Sequence, residues 1–545
     1  MKKNYAWFLA LVLVISSVLA ACSGGGAEKS SKNEQVLNLV TASDIPSMNS
    51  ALATDMVSFQ MYENVMEGLY RLDKDTKPVP ALAEGDPKET DDGKTWTIKI
   101  RKDAKWSNGD AVTANDFVYA WRNVVDPKTA SEYAFIMFDI ENAQEVNKGK
   151  KKPEELGVKA IDDNTLEIKL KNNQPYFKGL LAFGTYMPKN EKFAKKLGDK
   201  YGLDVKSTLY NGPFKMKEWK TEESVKLVKN DKYWDKDNVK LDEINYKVVK
   251  DAQTGLNLYE TGKIDSVGVS AENVEKYKKN KDFKTELSAA QSFFKVSYKG
   301  NHKKELSNKN LRLAIAKSID KEAYVKNNLN NGSVATDQYT PKDVYKGPDG
   351  SDFSEIAGGD NLKLDKESAK KDWAKAKQEL GINALEIELL TVDIDTAKKD
   401  AEYFKEQLES NLDGLTVKIK QQPFKQKLDL EAKGQYDLSY SNWFPDYADP
   451  MTFLDLYLST ETNTGYKNPA YDKLIEDAKG PLLKDPDARW KALGEASTML
   501  LDDAAVIPVI QRGNAFMDKD YVKDVMVNSS GINNYKAAYI EGKNN

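Results

Sequence analysis

Few residues in this 545-residue chain could do covalent or metal chemistry. Its one histidine, His302, lies in the polar run Lys299-Gly-Asn-His-Lys-Lys304 and reads as a surface loop residue. A Ser-His-Asp relay needs a histidine oriented by its neighbours, and zinc usually wants more than one. The one cysteine is Cys22, so the chain beyond it has neither disulfide nor thiolate metal site. No Gly-rich phosphate loop of either common type occurs. With 85 Asp and Glu residues, a carboxylate pair by itself carries no information. Positive charge is almost wholly lysine, evenly spread; the arginines are Arg71, Arg101, Arg122, Arg312, Arg489 and Arg512. A formal charge of −4 argues against a nucleic-acid partner. Recognition suits this kit better than catalysis, and no enzyme activity, cofactor or metal is expected.

The elements that must position any site alternate strand and helix. Thr95-Trp-Thr-Ile-Lys-Ile-Arg101 has the period of a half-buried strand, and residues 113–124 have helical spacing. Residues 158–170 read as two strands around an Asp-Asn turn. Asn211-Gly212-Pro213 turns into a strand over 214–219. A helix is predicted over 252–261 with Gly262 past its end, then a strand over 264–269. A helix starting at Asn310, strand 385–392, helix 397–412, and strands 415–421 and 436–443 follow. Helix 486–502 and strand 505–510 complete the pattern, and no internal repeat is found. The fold class is mixed α/β in at least two lobes, because the roughly 520 residues beyond the leader exceed what one core serves. No linker marks a boundary, as expected when lobes are built from discontinuous segments.

The N-terminus carries Lys2 and Lys3, then an apolar run over residues 6–20 ending Leu19-Ala20-Ala21-Cys22. A short apolar run with small residues at its end is a secretory signal, not a spanning helix. The ending resembles a lipobox, which implies a signal peptide over 1–21, acylation of Cys22 and a flexible tether over 22–35. Two or three acyl chains anchor durably where one does not.

The run from Gly93 to Phe117, Gly-Lys-Thr-Trp-Thr-Ile-Lys-Ile-Arg-Lys-Asp-Ala-Lys-Trp-Ser-Asn-Gly-Asp-Ala-Val-Thr-Ala-Asn-Asp-Phe, resembles the signature of the peptide-binding family 5 of ABC-importer receptors. Met66-Glu-Gly-Leu69, Asn211-Gly-Pro-Phe214, Tyr233-Trp-Asp235, Gly262-Lys-Ile-Asp265 and Trp443-Phe-Pro-Asp-Tyr-Ala-Asp-Pro450 also match, in order along the mature chain. The likeness is nearest to oligopeptide-binding lipoproteins of Gram-positive bacteria. It implies a two-lobed, hinged, periplasmic-binding-protein-like fold with mixed sheets. Lobe I would comprise 36–66, 191–289 and 514–545, an extra subdomain 67–190, and the other lobe 290–513. It further implies a monomer at the outer face of the cytoplasmic membrane that passes short peptides to the permease subunits of an ABC importer.

Every unblocked peptide has an α-ammonium and an extended main chain, so a broad receptor should bind the first with a carboxylate and the second as an added strand. The resemblance gives the ammonium to Asp446; read locally, Asp446 is a turn residue beside Asp449, which looks like an N-cap before Pro450. Thr54, Asp55 and Met56 match a segment that pairs with the ligand main chain, and Tyr133 matches a contact from the subdomain. Asn442, Trp443 and Phe444 match the strand of the opposite lobe, with Trp443 either lining a pocket or packing in the core. Phe293 and Phe294 align with pocket walls, but a core place suits them equally. Basic residues that meet the ligand's C-terminus in enteric relatives align here with Tyr440, Leu329 and Ala397, none of them basic; Arg512 is the substitute candidate. Other readings are the same fold holding a peptide pheromone or a non-peptide solute, a folding factor gripping extended segments, and a secreted hydrolase.

Overall fold

The computed structural model describes residues 34–460, 464–528 and 531–543. The leader, Cys22 and the tether up to residue 33 lie outside the described residues. From Gln35 to Glu541 the chain packs as one unit.

Three sheets organise it. The first orders Val36–Thr41, Glu243–Val248, Ser224–Lys229 and Phe214–Lys220, with a parallel first pair and antiparallel others. Alternate residues Leu37, Leu39, Val225, Leu227, Ile244 and Tyr246 are buried, as period two requires. The second is the antiparallel set Lys88–Thr90, Thr95–Lys99, Thr165–Lys169 and Val158–Asp162. Trp96, Ile98, Leu166 and Ile168 from this sheet are buried in one core with Phe117, Trp121 and Val124 of helix Ala114–Val125. That helix starts where Asp116 Oδ2 accepts the Thr113 amide at 2.9 Å.

The third sheet is the largest. Its order is Ser266–Gly268, Val506–Asp518, Phe283–Val296, Leu438–Trp443, Leu385–Val392 and Leu415–Gln422, with Val334–Ala335 also on the second strand. Parallel and antiparallel pairs mix within it. Helix Asp395–Asn411 buries Ala397, Ala401, Phe404 and Leu408, one stripe at helical spacing.

The predicted strand 385–392 and helix 486–502 have the bounds expected, and most others agree within a few residues. Three differences matter. The strand expected over 264–269 is only Ser266–Gly268, the stretch that meets Phe516–Asp518. The strand expected over 505–510 runs from Val506 to Asp518, and Phe283–Val296, of which no strand was expected, pairs with it. Their ladder is interrupted between Leu287/Gly513 and Gln291/Gln511. Gly513 is needed there: a Cβ would lie 2.1 Å from the Gly332 carbonyl carbon. Third, His302 is not a free surface side chain. It is half-buried, with Nδ1 2.8 Å from Oδ2 of the buried Asp437.

Candidate functional site

Strand Leu438–Trp443 is paired along its whole length on one side only, antiparallel to Gln291–Val296. On the other side Leu385–Val392 reaches just Leu438 and Ser439. The edge of Tyr440–Trp443 therefore offers main-chain groups without a strand partner, the kind of edge to which an extended segment can add.

Beyond Trp443 the chain turns through Pro445, Asp446 and Tyr447 into the short helix Met451–Leu454. The turn is tied at several points. Asp446 N–H donates to Thr452 Oγ1 at 3.0 Å. Tyr447 Oη donates to Asp455 at 3.0 Å, and its ring stacks on Tyr176 with centroids 4.4 Å apart. Asp449 accepts Met451 N–H at 3.0 Å, as a capping side chain does. The same carboxylate takes both ends of the Arg489 guanidinium, at 2.8 and 3.0 Å. Local reading found the cap; the arginine 40 residues on was not foreseeable from it.

Asp446 is different. Among the described residues no lysine, arginine or histidine nitrogen comes within 4 Å of it. Its neighbour is the Tyr133 hydroxyl, which donates at 3.4 Å. Burial, then the nearby Asp455 carboxylate, push its pKa well above the usual range, and Tyr133 opposes them weakly. A carboxylate so placed is costly to ionise until a cation arrives. A ligand ammonium against it would favour the charged form. Peptide binding is therefore expected to release protons at pH values between the ligand-bound and ligand-free pKa of Asp446. Affinity should rise with pH between the ligand-bound and ligand-free pKa values of Asp446, and fall as pH drops through the bound value. Calorimetry in buffers of different ionisation enthalpy checks this: the apparent enthalpy should depend on the buffer, and in Asp446→Asn it should not.

Tyr133 reaches this corner from the segment of the second sheet. It stacks on Trp443 with centroids 6.0 Å apart and planes 10° from parallel, and packs against Phe59 and Phe183. Thr54, Tyr133 and Trp443 line one small cavity of about 100 Å³. Asp55 has extended backbone, but its side chain is committed to capping helix Met56–Val65, accepting from Ser58 N at 2.8 Å and Ser58 Oγ at 2.7 Å. Burial pushes its pKa up to about 6. Only main chain can serve a ligand there. Met56 is the first, half-buried residue of that helix. Phe444 lies against Gly531.

Phe293 and Phe294 take the core place rather than the pocket wall. Both are fully buried on a strand covered on both faces, Phe293 against Tyr339 and Phe294 against Phe404 and Tyr440. Arg512 does face open space. Its Nη1 donates to Asn442 Oδ1 at 2.9 Å, and no carboxylate lies within 4 Å of it among the described residues. It lines a chamber of about 1220 Å³ shared with Leu329, Tyr440, Asp400, Val269 and Asn528. Ala397 is buried.

Sequence reasoning missed Asp400, whose pKa burial pushes up to about 6, and missed Lys295, Glu431 and Tyr436 of the small cavity. No signal among so many acids and lysines marked them, although Lys427 and Glu431 do stand four residues apart on one helix.

Ion pairs beside the chamber link residues 250–272 to residues 393–399. Lys250 bridges to Asp393 at 3.1 Å and Lys399 to Glu272 at 3.1 Å. Half-exposed pairs of this kind contribute at most about 1 kcal/mol each. Lys250→Glu should therefore weaken closure by less than about tenfold, with a salt-dependent rise in the ligand-free radius of gyration by X-ray scattering.

Residues 77–465 match the family model described as bacterial extracellular solute-binding proteins, family 5. The chain is 33% identical to the dipeptide-binding protein DppE of Bacillus subtilis over 98% of both chains. It covers 99% of the substrate-binding domain of an oligopeptide ABC transporter from Bacillus anthracis at 48% identity and TM-score 0.90, using 93% of its own length. Against Listeria monocytogenes OppA bound to peptide the values are 43% and 0.89, with 93% and 99% coverage. One structure of the Escherichia coli murein tripeptide-binding protein MppA gives TM-score 0.83, and its unliganded open form only 0.60, both at 25% identity. With a mixed α/β sheet architecture, an open strand edge beside an uncompensated carboxylate and these relatives, the chain belongs to the family 5 bacterial extracellular solute-binding proteins.

Proposed function

We propose that this protein captures short peptides with a free amino terminus between two lobes and delivers them to an ABC importer in the membrane. The observation that carries the reading is Asp446, a half-buried carboxylate with no counter-ion among the described residues, beside the open edge of Tyr440–Trp443. Asp446 binds the ammonium, and the strand edge pairs with the first residues of the ligand main chain. Tyr133 and the extended Thr54-Asp55 segment close from the other side. Lobe I is 36–66 with 191–289 and 514–545, the subdomain is 67–190 and the second lobe 290–513. The two long strands whose ladder breaks at residues 288–290 form the hinge. The peptide favours closure by touching both lobes. Acylated Cys22 holds the receptor on the outer face of the cytoplasmic membrane, and the protein acts as a monomer.

The test is mass spectrometry of what denaturation releases from the leader-less protein purified from cells. A ladder of unblocked peptides is expected. One peptide species would point instead to a pheromone. A non-peptide, or nothing even after peptide titration, would sink the reading.

A further inference from the structure

A peptide added to the edge of Tyr440–Trp443 continues that strand's pleat, so its successive side chains leave on opposite faces. The two faces differ sharply. On one, Tyr440 and Arg512 border the 1220 Å³ chamber. On the other, Trp443 borders the small cavity of about 100 Å³, ringed by Tyr133, Phe135, Tyr339, Tyr436 and Tyr457. The space is smaller than a cavity of about 150 Å³ that holds benzene, so it suits a side chain of about four heavy atoms.

Polar groups in its wall are incompletely satisfied. Trp443 Nε1 and Tyr436 Oη are buried without a hydrogen-bond partner among the described residues. Lys295 reaches Glu431 Oε2 at 3.2 Å and keeps donors to spare. Glu431 Oε1 is itself taken up by Lys427, Ser439 and Ser441, and its Oε2 by Lys295. An indole N–H and an ammonium can only donate, so a group that pairs with Trp443 Nε1 and Lys295 must accept.

We propose that this cavity is the specificity-determining subsite of the receptor. It admits one short ligand side chain ending in an acceptor oxygen, as in Asn, Asp or Thr. The neighbouring ligand residues point into the chamber and are unrestricted in size. This rests on the reading of the protein as a peptide receptor.

The test is calorimetric titration of ligand-stripped protein with alanine pentapeptides carrying one guest, Asn, Leu or Trp, at each position in turn. At a single position Asn should bind at least about tenfold tighter than the similarly sized Leu, because Leu leaves the wall unpaired. Trp should be at least about tenfold weaker than Leu there, and flanking positions should vary less than about threefold. Tyr436→Phe should narrow the Asn–Leu gap at that position alone, whereas a merely structural role would shift every peptide alike. Equal affinities for the three guests at every position, or a preference for Trp at the cavity position, would overturn the proposal. Failure of the all-alanine host itself to bind would instead overturn the peptide-receptor reading.

Discussion

Asp446→Ala is expected to weaken peptide binding by about 2–4 kcal/mol, roughly 30- to 1000-fold in Kd, while leaving the fold intact. Among the described residues the carboxylate's one side-chain hydrogen-bond partner is the Tyr133 hydroxyl at 3.4 Å, so the fold gains little from its charge. In the complex it would face a desolvated ammonium, and removing it would strand that ammonium in a buried corner. The loss should vanish for N-acetylated peptides, which bind weakly to the parent protein for the converse reason. Titration calorimetry of parent and variant with free and acetylated forms of one peptide completes a double-mutant cycle. Unchanged affinity in a folded Asp446→Ala protein would refute the role.

Arg489→Ala should cost about 3–5 kcal/mol of stability, the scale for breaking a buried ion pair from one side. Arg489 and Asp449 are 9% and 8% exposed, close through two parallel bonds, and leave Asp449 as an orphan charge if the arginine goes. Arg489 Nε also donates to the Ala478 carbonyl at 3.0 Å, so the helix before it is tied to the same point. A lower urea midpoint would report the loss, and Arg489→Lys should recover only part of it, since an ammonium cannot reproduce the fork. Because Asp449 lies three residues from Asp446, peptide affinity should fall as well. A stable variant with parental affinity would show that the turn is held by its other ties.

What was legible in the sequence follows from local physics. Thr95–Lys99 and Leu385–Val392 carry their period in neighbouring residues. The helix Pro486–Asp502 announces itself by Asp485 capping Ala488 and proline at its first position. The long strands Phe283–Val296 and Val506–Asp518 escaped this reading. The polar residues 284–286 and Gly513 mask their period, and their stability comes from pairing with each other over more than two hundred residues. The Phe293-Phe294 pair shows the same limit, since apolar residues in a strand fit a pocket wall or a core equally until both faces are seen to be covered.

By itself the sequence determined the absence of a histidine- or thiol-based device beyond Cys22, the alternation of strand and helix, and the motifs that mark the family. These are properties of composition and of residues near one another in the chain. Only the tertiary structure decided that Tyr133 meets Asp446 across 313 residues, and Lys295 meets Glu431 across 136. It also decided that the edge of Tyr440–Trp443 stays open and that Asp446 finds no cation among the described residues. Burial and charge compensation depend on which distant segments converge, and that is set by packing of the whole chain rather than by any local period.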